Sequence, residues 1–442
     1  MSPFNKNFGF RMSPFEQYVA EKEPEINAYA VKPPYFEETK SRALSQSTFI
    51  LFGFRGSGKS ATRITTAKET WKLRSDGGEA PIVVTFTDFS PIIGNRSLES
   101  VSSNILISHV AFLTIEALLL WLSNQSNSET LIAELSEEER FTFVHFIKMY
   151  YLSVPEPKRQ IRNAEAMKLL HQTWINQSKI WVEKKWKPIS SAVSKTAAGL
   201  VARYLPAAED MQDDIKQVIA QTDELEGDLI VLTELVGIAK SIGFAGVSVF
   251  LDKVDEHSKT QFSAEKTAKL IHPILSHVQL LEVEGFGWTF FLWNKVKQYF
   301  ATENLFVRLD KIAHSEVKWP EKFLVQMIDQ RIRHFSDAKV SGFNQLCQKT
   351  LNAKAPLLEM IALVQNSPRE LIRLLDTIAR EYNSSYTDQR KKALLSPEDI
   401  ELGKDVYIRD VVWNVYAGKV LSQIIRLGLK TSRIKTFRRL LN

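Results

Sequence analysis

One cysteine, Cys347, in 442 residues excludes an internal disulfide and a cysteine-built zinc site, and fits a reducing compartment. Alone, it reads as a small buried apolar residue. The opening residues Met1-Ser2-Pro3-Phe4-Asn5-Lys6 lack the apolar core of a signal peptide. The longest apolar runs, near residues 111–122 and 246–251, read as too short or too interrupted to span a bilayer. A cytoplasmic protein without membrane contact is the expectation. A large excess of one charge sign is also lacking, with 57 Lys and Arg against 51 Asp and Glu. The formal net charge of +6 permits an acidic partner without demanding one. Apolar and charged contents of 44% and 24% are ordinary for a globular chain, and the length suits two or three domains.

Against this plain background residues 47–60 stand out: a β-branched and aromatic run, S-T-F-I-L-F, meets G-F-R-G-S-G-K-S, and a helical pattern follows from Ala61 to Lys68. Gly53 to Ser60 match G-x-x-x-x-G-K-[ST], the phosphate-binding loop. Gly53, Gly56 and Gly58 allow a tight turn with backbone N–H groups aimed at phosphate oxygens. The following helix adds its positive end. Lys59 reaches the β- and γ-phosphates, and the Ser60 hydroxyl ligates Mg²⁺. The expected nucleotide contacts are Gly53, Phe54, Arg55, Gly56, Ser57, Gly58, Lys59, Ser60 and Ala61, with ATP and Mg²⁺ as cofactors.

The complement of such a loop is a buried strand ending in an acid. Residues 246–256, G-V-S-V-F-L-D-K-V-D-E, supply it. Asp252 would orient the metal and its waters, and an adjacent acid would polarise the attacking water. Lys253 occupies the next position, so the water acid is Asp255 or Glu256. Residues 80–89 read as a further buried strand. Asp88 at its end serves the site or caps the next segment.

Residues 1–46 read as an irregular arm, rich in aromatics and prolines, that packs on the nucleotide domain. Helix signals dominate from about 99 to 240. Residues 101–123 form a strongly apolar helix, and residues 136–151 another that opens in capping-box order at Ser136. The stretch 168–187 interleaves Trp174, Trp181 and Trp186 with lysines. It reads either as a basic, aromatic nucleic-acid surface or as an amphipathic helix with solvated lysines. Pro188, Gly199 and Pro206 are read as interruptions. An acidic helix near 207–226 leads back to the sheet.

These motifs together resemble the additional-strand P-loop ATPases, the AAA+ and STAND groups. L-D-K-V-D-E at 251–256 is similar to the D-G-h-D-E form of STAND and NACHT proteins, with Lys253 in place of a small residue. The resemblance implies a helix near 264–280 and a strand near 287–293 ending at Asn294, which resembles sensor 1. It makes Arg308 an arginine finger across a subunit interface or a structural ion pair. It likens Arg369, in N-S-P-R-E-L-I-R at 366–373, to the lid arginine that reaches the γ-phosphate. No L-S-G-G-Q signature is present, which argues against a transporter-type dimer.

The expected fold is α/β: a parallel-sheet P-loop NTPase core (47–98 and 241–318) with a large helical insertion (99–240), a helical lid (319–410) and a basic helical C-terminal tail (411–442). The expected function is a slow, Mg-dependent ATP hydrolase acting as a homo-oligomeric switch, by analogy in anti-phage defence with a partner effector. Two alternatives are a DNA-binding loader acting through 168–187 and 419–439, and an assembly scaffold that binds ATP without turnover.

Overall fold

Four short runs dense in β-branched and aromatic residues, and a fifth that is polar, form one all-parallel sheet in the computed structural model. The structure describes residues 1–23, 25–125, 127–155, 159, 181–204, 223–348, 354–385 and 394–413, with backbone alone at 181–192, 354 and 411–413. The strands are β1 (Phe49–Gly53), β2 (Ile82–Phe86), β3 (Val247–Leu251), β4 (Phe286–Trp293) and β5 (Ala313–Glu316), in the order β2-β3-β4-β1-β5. Parallel strands need crossovers that cover both faces, which is why β1, β3 and most of β4 are buried at every position. β5 alternates half-buried and exposed residues, as an edge strand does. Gly53 pairs with Trp293 and Leu251 with Phe290, so the carboxyl ends of β1, β3 and β4 share one edge of the sheet.

Around the sheet lie α1 (Pro34–Leu44), α2 (Lys59–Ser75), α3 (Ser103–Ser123), α4 (Glu137–Phe146), α5 (Trp181–Tyr204), α6 (Glu224–Ser241) and α7 (Ala264–Leu275). Ser136 caps α4 in a reciprocal capping box with Glu139. The helix continues as a π-helical turn over Ile147–Leu152. The apolar run near 111–122 lies within the apolar helix expected over 101–123, observed as α3. α3 has 21 residues and is the one helix, among those described, long and apolar enough to cross a membrane. Its apolar window is 83% buried, packed on α6 and β2, so that surface is consumed by the protein's own core.

Two expectations fail here. α5 runs unbroken through Pro188 and Gly199. Its packing on α3 and α4, with Val193 and Ala197 fully buried, outweighs the few kcal/mol by which such residues disfavour a helix. The helix expected over 264–280 stops at Leu275, and a separate turn forms at Val278–Leu281.

The chain divides into two compact units. One holds Lys32–Lys318 and the sheet; the other holds Met1–Glu23, Ala28–Val31 and the chain from Trp319. Within the second unit are α8 (Glu321–Phe335), α9 (Lys354–Leu363), α10 (Pro368–Ser384) and α11 (Pro397–Tyr407). α10 and α11 pack closely, since a Cβ at Gly403 would lie 2.8 Å from the Ile378 Cα. The N-terminal arm was expected on the nucleotide domain, but its first part belongs to this helical unit. Phe4, Phe8, Phe10 and Phe15 are buried, with the Phe4 ring 5.7 Å from that of Tyr382. Buried Arg331 donates to the main-chain oxygens of Pro14 and Gln17, each at 2.9 Å, and pairs with Glu23. Cys347 is buried in the same unit, and desolvation pushes its thiol up to about 12, so it stays an inert thiol.

The basic tail at 419–439 and residues 168–180 lie outside the described residues, and 181–187 contribute backbone only.

Candidate functional site

The loop between β1 and α2 is built by glycines with different tasks. Gly56 (φ +78°) and Gly58 (φ +93°) occupy the left-handed region, and Gly58 is the residue that opens α2. Gly53 is required by proximity instead. A Cβ there would sit 2.6 Å from the Ser57 Oγ and 3.1 Å from the Val317 Cβ. Lys59 is the first residue of α2 and nine-tenths buried. Its Nζ donates to the main-chain oxygens of Gly53 (2.9 Å) and Phe54 (3.0 Å), which folds the ammonium over the loop. Ser60 follows, half-buried.

Asp252 stands one residue past β3 and is 3% exposed. Its Oδ2 accepts from Arg63 Nε at 2.9 Å and its Oδ1 from the Lys253 N–H at 2.9 Å. Arg63 lies on α2 one turn beyond Lys59 and is 2% exposed, so the acid meets a buried guanidinium. Lys253 adopts φ +63°. That left-handed backbone suits glycine best, which gives a physical reason why a small residue fits this position.

Asp255 follows in the turn. Its Oδ2 accepts from Arg55 Nε at 2.8 Å, and its main-chain oxygen accepts from Arg55 Nη2 at 3.1 Å. The Glu256 side chain is 60% exposed, with Lys253 Nζ 4.0 Å away. Asn294 opens the 3₁₀ turn after β4, and its Nδ2 faces Glu316 Oε1 at 3.4 Å. Its Oδ1 is buried without a hydrogen-bond partner among the described residues.

The folded chain thus gathers Gly53–Ser60, Asp252, Asp255, Glu256 and Asn294 around the carboxyl ends of β1, β3 and β4. Arg308 precedes β5 and pairs with Asp310 of its own chain, Nη2 to Oδ2 at 2.8 Å, on the surface. Arg369 follows Pro368 at the start of α10, in the other unit, where Ser367 caps the helix. Asp88 caps rather than joins the site: its Oδ1 accepts from the Ser90 N–H at 2.9 Å. Sequence reasoning missed Arg63 as an acid partner and the rings of Phe262 and Trp293 beside Arg55. The signal for Arg63 was its spacing, four residues after Lys59 on the same helical face.

Ser60 and Asp252 are hard oxygen donors of the kind Mg²⁺ takes beside phosphate oxygens and water. Each Asp252 oxygen makes one hydrogen bond, which leaves lone pairs for metal-bound water, so the donor set fits. Among the described residues no three His, Cys, Asp or Glu side chains converge. A metal here would depend on phosphate for the rest of its shell.

No protein-family model matches the sequence, and no curated protein or solved structure is significantly similar to it. The fold itself is an α/β fold with an all-parallel five-stranded sheet and many helices.

Proposed function

We propose that this chain is a Mg-dependent ATP hydrolase of the additional-strand P-loop type, an AAA+/STAND-like switch whose nucleotide state drives assembly. The observation that carries the reading is the placement of β4 between β1 and β3. That order sets the glycine loop with Lys59 at one strand end and Asp252 at the next but one, with Asn294 at the end of the strand between them.

In this reading the loop N–H groups and Lys59 hold the β- and γ-phosphates, and the α2 N-terminus adds its partial positive charge. Mg²⁺, when bound, supplies charge neutralisation across those phosphates. Ser60 and Asp252 are the residues that would hold it. An acid of the turn, Asp255 or Glu256, orients a water whose oxygen forms a bond to the γ-phosphorus. The bond from that phosphorus to the bridging oxygen breaks, ADP leaves with the electron pair, and the water proton passes through the acid to the released phosphate. Asn294 would position the water or the γ-phosphate. By the family resemblance Arg369 would read the γ-phosphate, and Arg308 would add charge from a second subunit after exchanging Asp310 for phosphate. A homo-oligomer working with an effector partner in defence belongs to the same proposal and rests on the family resemblance alone.

Lys59→Ala tests the reading. ATP raises the thermal midpoint of the wild type by mass action, and the variant is expected to lose that shift. A shift that survives in Lys59→Ala would remove the proposed site.

A further inference from the structure

Beside Lys59 the loop carries a second cation, Arg55, whose backbone N–H belongs to the phosphate loop but whose side chain the proposed reaction leaves without a task. Arg55 donates through Nε and Nη2 to the side chain and backbone of Asp255, a residue 200 positions away. Its guanidinium carbon lies 4.7 Å from the Trp293 ring centre and 4.9 Å from that of Phe262. One side chain therefore joins the glycine loop, the turn after β3, the end of β4 and the approach to α7. The same turn is pinned from behind. Fully buried Thr260 donates from Oγ1 to the Val254 oxygen at 2.6 Å, and the Glu256 N–H donates to the Lys253 oxygen at 3.0 Å. Lys259 Nζ donates to the Gly94 and Arg96 oxygens at 2.9 and 2.6 Å.

Asp255 is thus held on both sides and its side chain is 13% exposed, whereas the neighbouring Glu256 side chain is 60% exposed, with Lys253 Nζ 4.0 Å from it. A carboxylate oxygen committed to a stacked guanidinium must give up a charge-assisted bond before it can orient a water. We propose that Arg55 is a positioning residue: it locks Asp255 into the turn and so sets Glu256, the next residue, as the acid that serves the attacking water. The proposal deepens the ATPase reading and rests on it. It assigns Asp255 and Glu256 different tasks, a division that the sequence left open.

Steady-state phosphate release and ATP-dependent thermal stabilisation of the full chain test it. Glu256→Gln is expected to lose about 100-fold or more in kcat while keeping the stabilisation. Arg55→Ala and Asp255→Asn should each lose about tenfold in kcat with KM unchanged, and the double variant should be no worse than either single one, since both break the same contact. Arg55→Lys should not rescue, because an ammonium can neither fork nor stack as a guanidinium does. A spectroscopic readout is independent of turnover. The Trp293 emission, taken as the difference between a protein and its Trp293→Phe counterpart, should shift when Arg55 becomes Ala.

Arg55→Ala turning over at the wild-type rate would overturn the proposal, as would Asp255→Asn as damaging as Glu256→Gln, or loss of ATP-dependent stabilisation in Arg55→Ala. Should Arg55→Ala fail to fold, the comparison of Asp255→Asn with Glu256→Gln decides alone. A wild type with neither turnover nor ATP-dependent stabilisation removes the ATPase reading itself, and the proposal with it.

Discussion

Arg63 and Asp252 are 189 residues apart in the chain and 2.9 Å apart in the fold, and neither is more than 3% exposed. An acid expected to serve a metal is already matched by a buried guanidinium. Removing one partner of such a pair leaves an uncompensated buried charge, which costs about 3–5 kcal/mol. Arg63→Met should therefore lower the thermal midpoint by about 10 °C. Arg63→Met combined with Asp252→Leu should recover most of that loss, because no charge is then stranded. Calorimetry of the two variants without nucleotide checks this, and equal destabilisation by both would contradict it.

Gly53 supports a second prediction. The space a methyl group needs there is already filled by Ser57 and Val317. Gly53→Ala should destabilise by about 1–3 kcal/mol, as overpacking does. Gly53→Ala with Val317→Ala should regain part of it by opening one wall. Urea unfolding of the single and double variants measures both.

Asp228 on α6 gives a pH dependence. It is fully buried, its Oδ1 faces Asn104 Nδ2 at 3.4 Å, and its Oδ2 has no hydrogen-bond partner among the described residues. Desolvation, reinforced by Glu224, raises its pKa from 3.8 to about 6. Between those values the folded state binds more protons than the unfolded state, so stability falls as pH rises from about 4 to about 6 and is level above. Two pKa units at 1.36 kcal/mol each set the loss at about 3 kcal/mol. Asp228→Asn should raise the thermal midpoint at pH 7.5 and leave it nearly unchanged at about pH 4. A pH-independent gain would show that desolvation of the charge is not the cause.

Arg331 holds the first part of the arm to the helical unit through two main-chain oxygens and Glu23. Arg331→Met strands the buried Glu23, and about 3–5 kcal/mol should be lost. Limited proteolysis should then cut within residues 1–23 sooner than in the wild type. Unchanged protection of that segment would mean that the aromatic packing of Phe4 and Phe8 holds it alone.

The strands were legible where the chain is apolar without interruption. F-I-L-F, I-V-V, V-S-V-F-L and W-T-F-F-L-W each announce a strand covered on both faces. β5 was not legible in this way. A-H-S-E is an edge strand with half its residues facing solvent, and no apolar run announces it. The phosphate-loop motif, Asp252 and the acids of the turn could be read because they sit at strand ends. The pairs Arg63–Asp252 and Arg55–Asp255 could not, because they depend on which strands are neighbours, and no local pattern carries that. Pro188 and Gly199 misled for a related reason: propensity is local, and tertiary packing of α5 overrode it. The arm misled because scattered phenylalanines declare burial without saying against which surface.

Val317 has one consequence beyond packing. Its N–H donates to the Phe52 oxygen at 2.7 Å, and its side chain fills the space beside Gly53. Two residues later, at Trp319, the chain leaves the sheet unit for the helical one. The wall of the glycine loop is therefore also the last rung before the crossing between units. Residue 317 thus does two jobs at once: it extends the pairing of β5 with β1 by one rung, and it forms the wall that keeps position 53 a glycine.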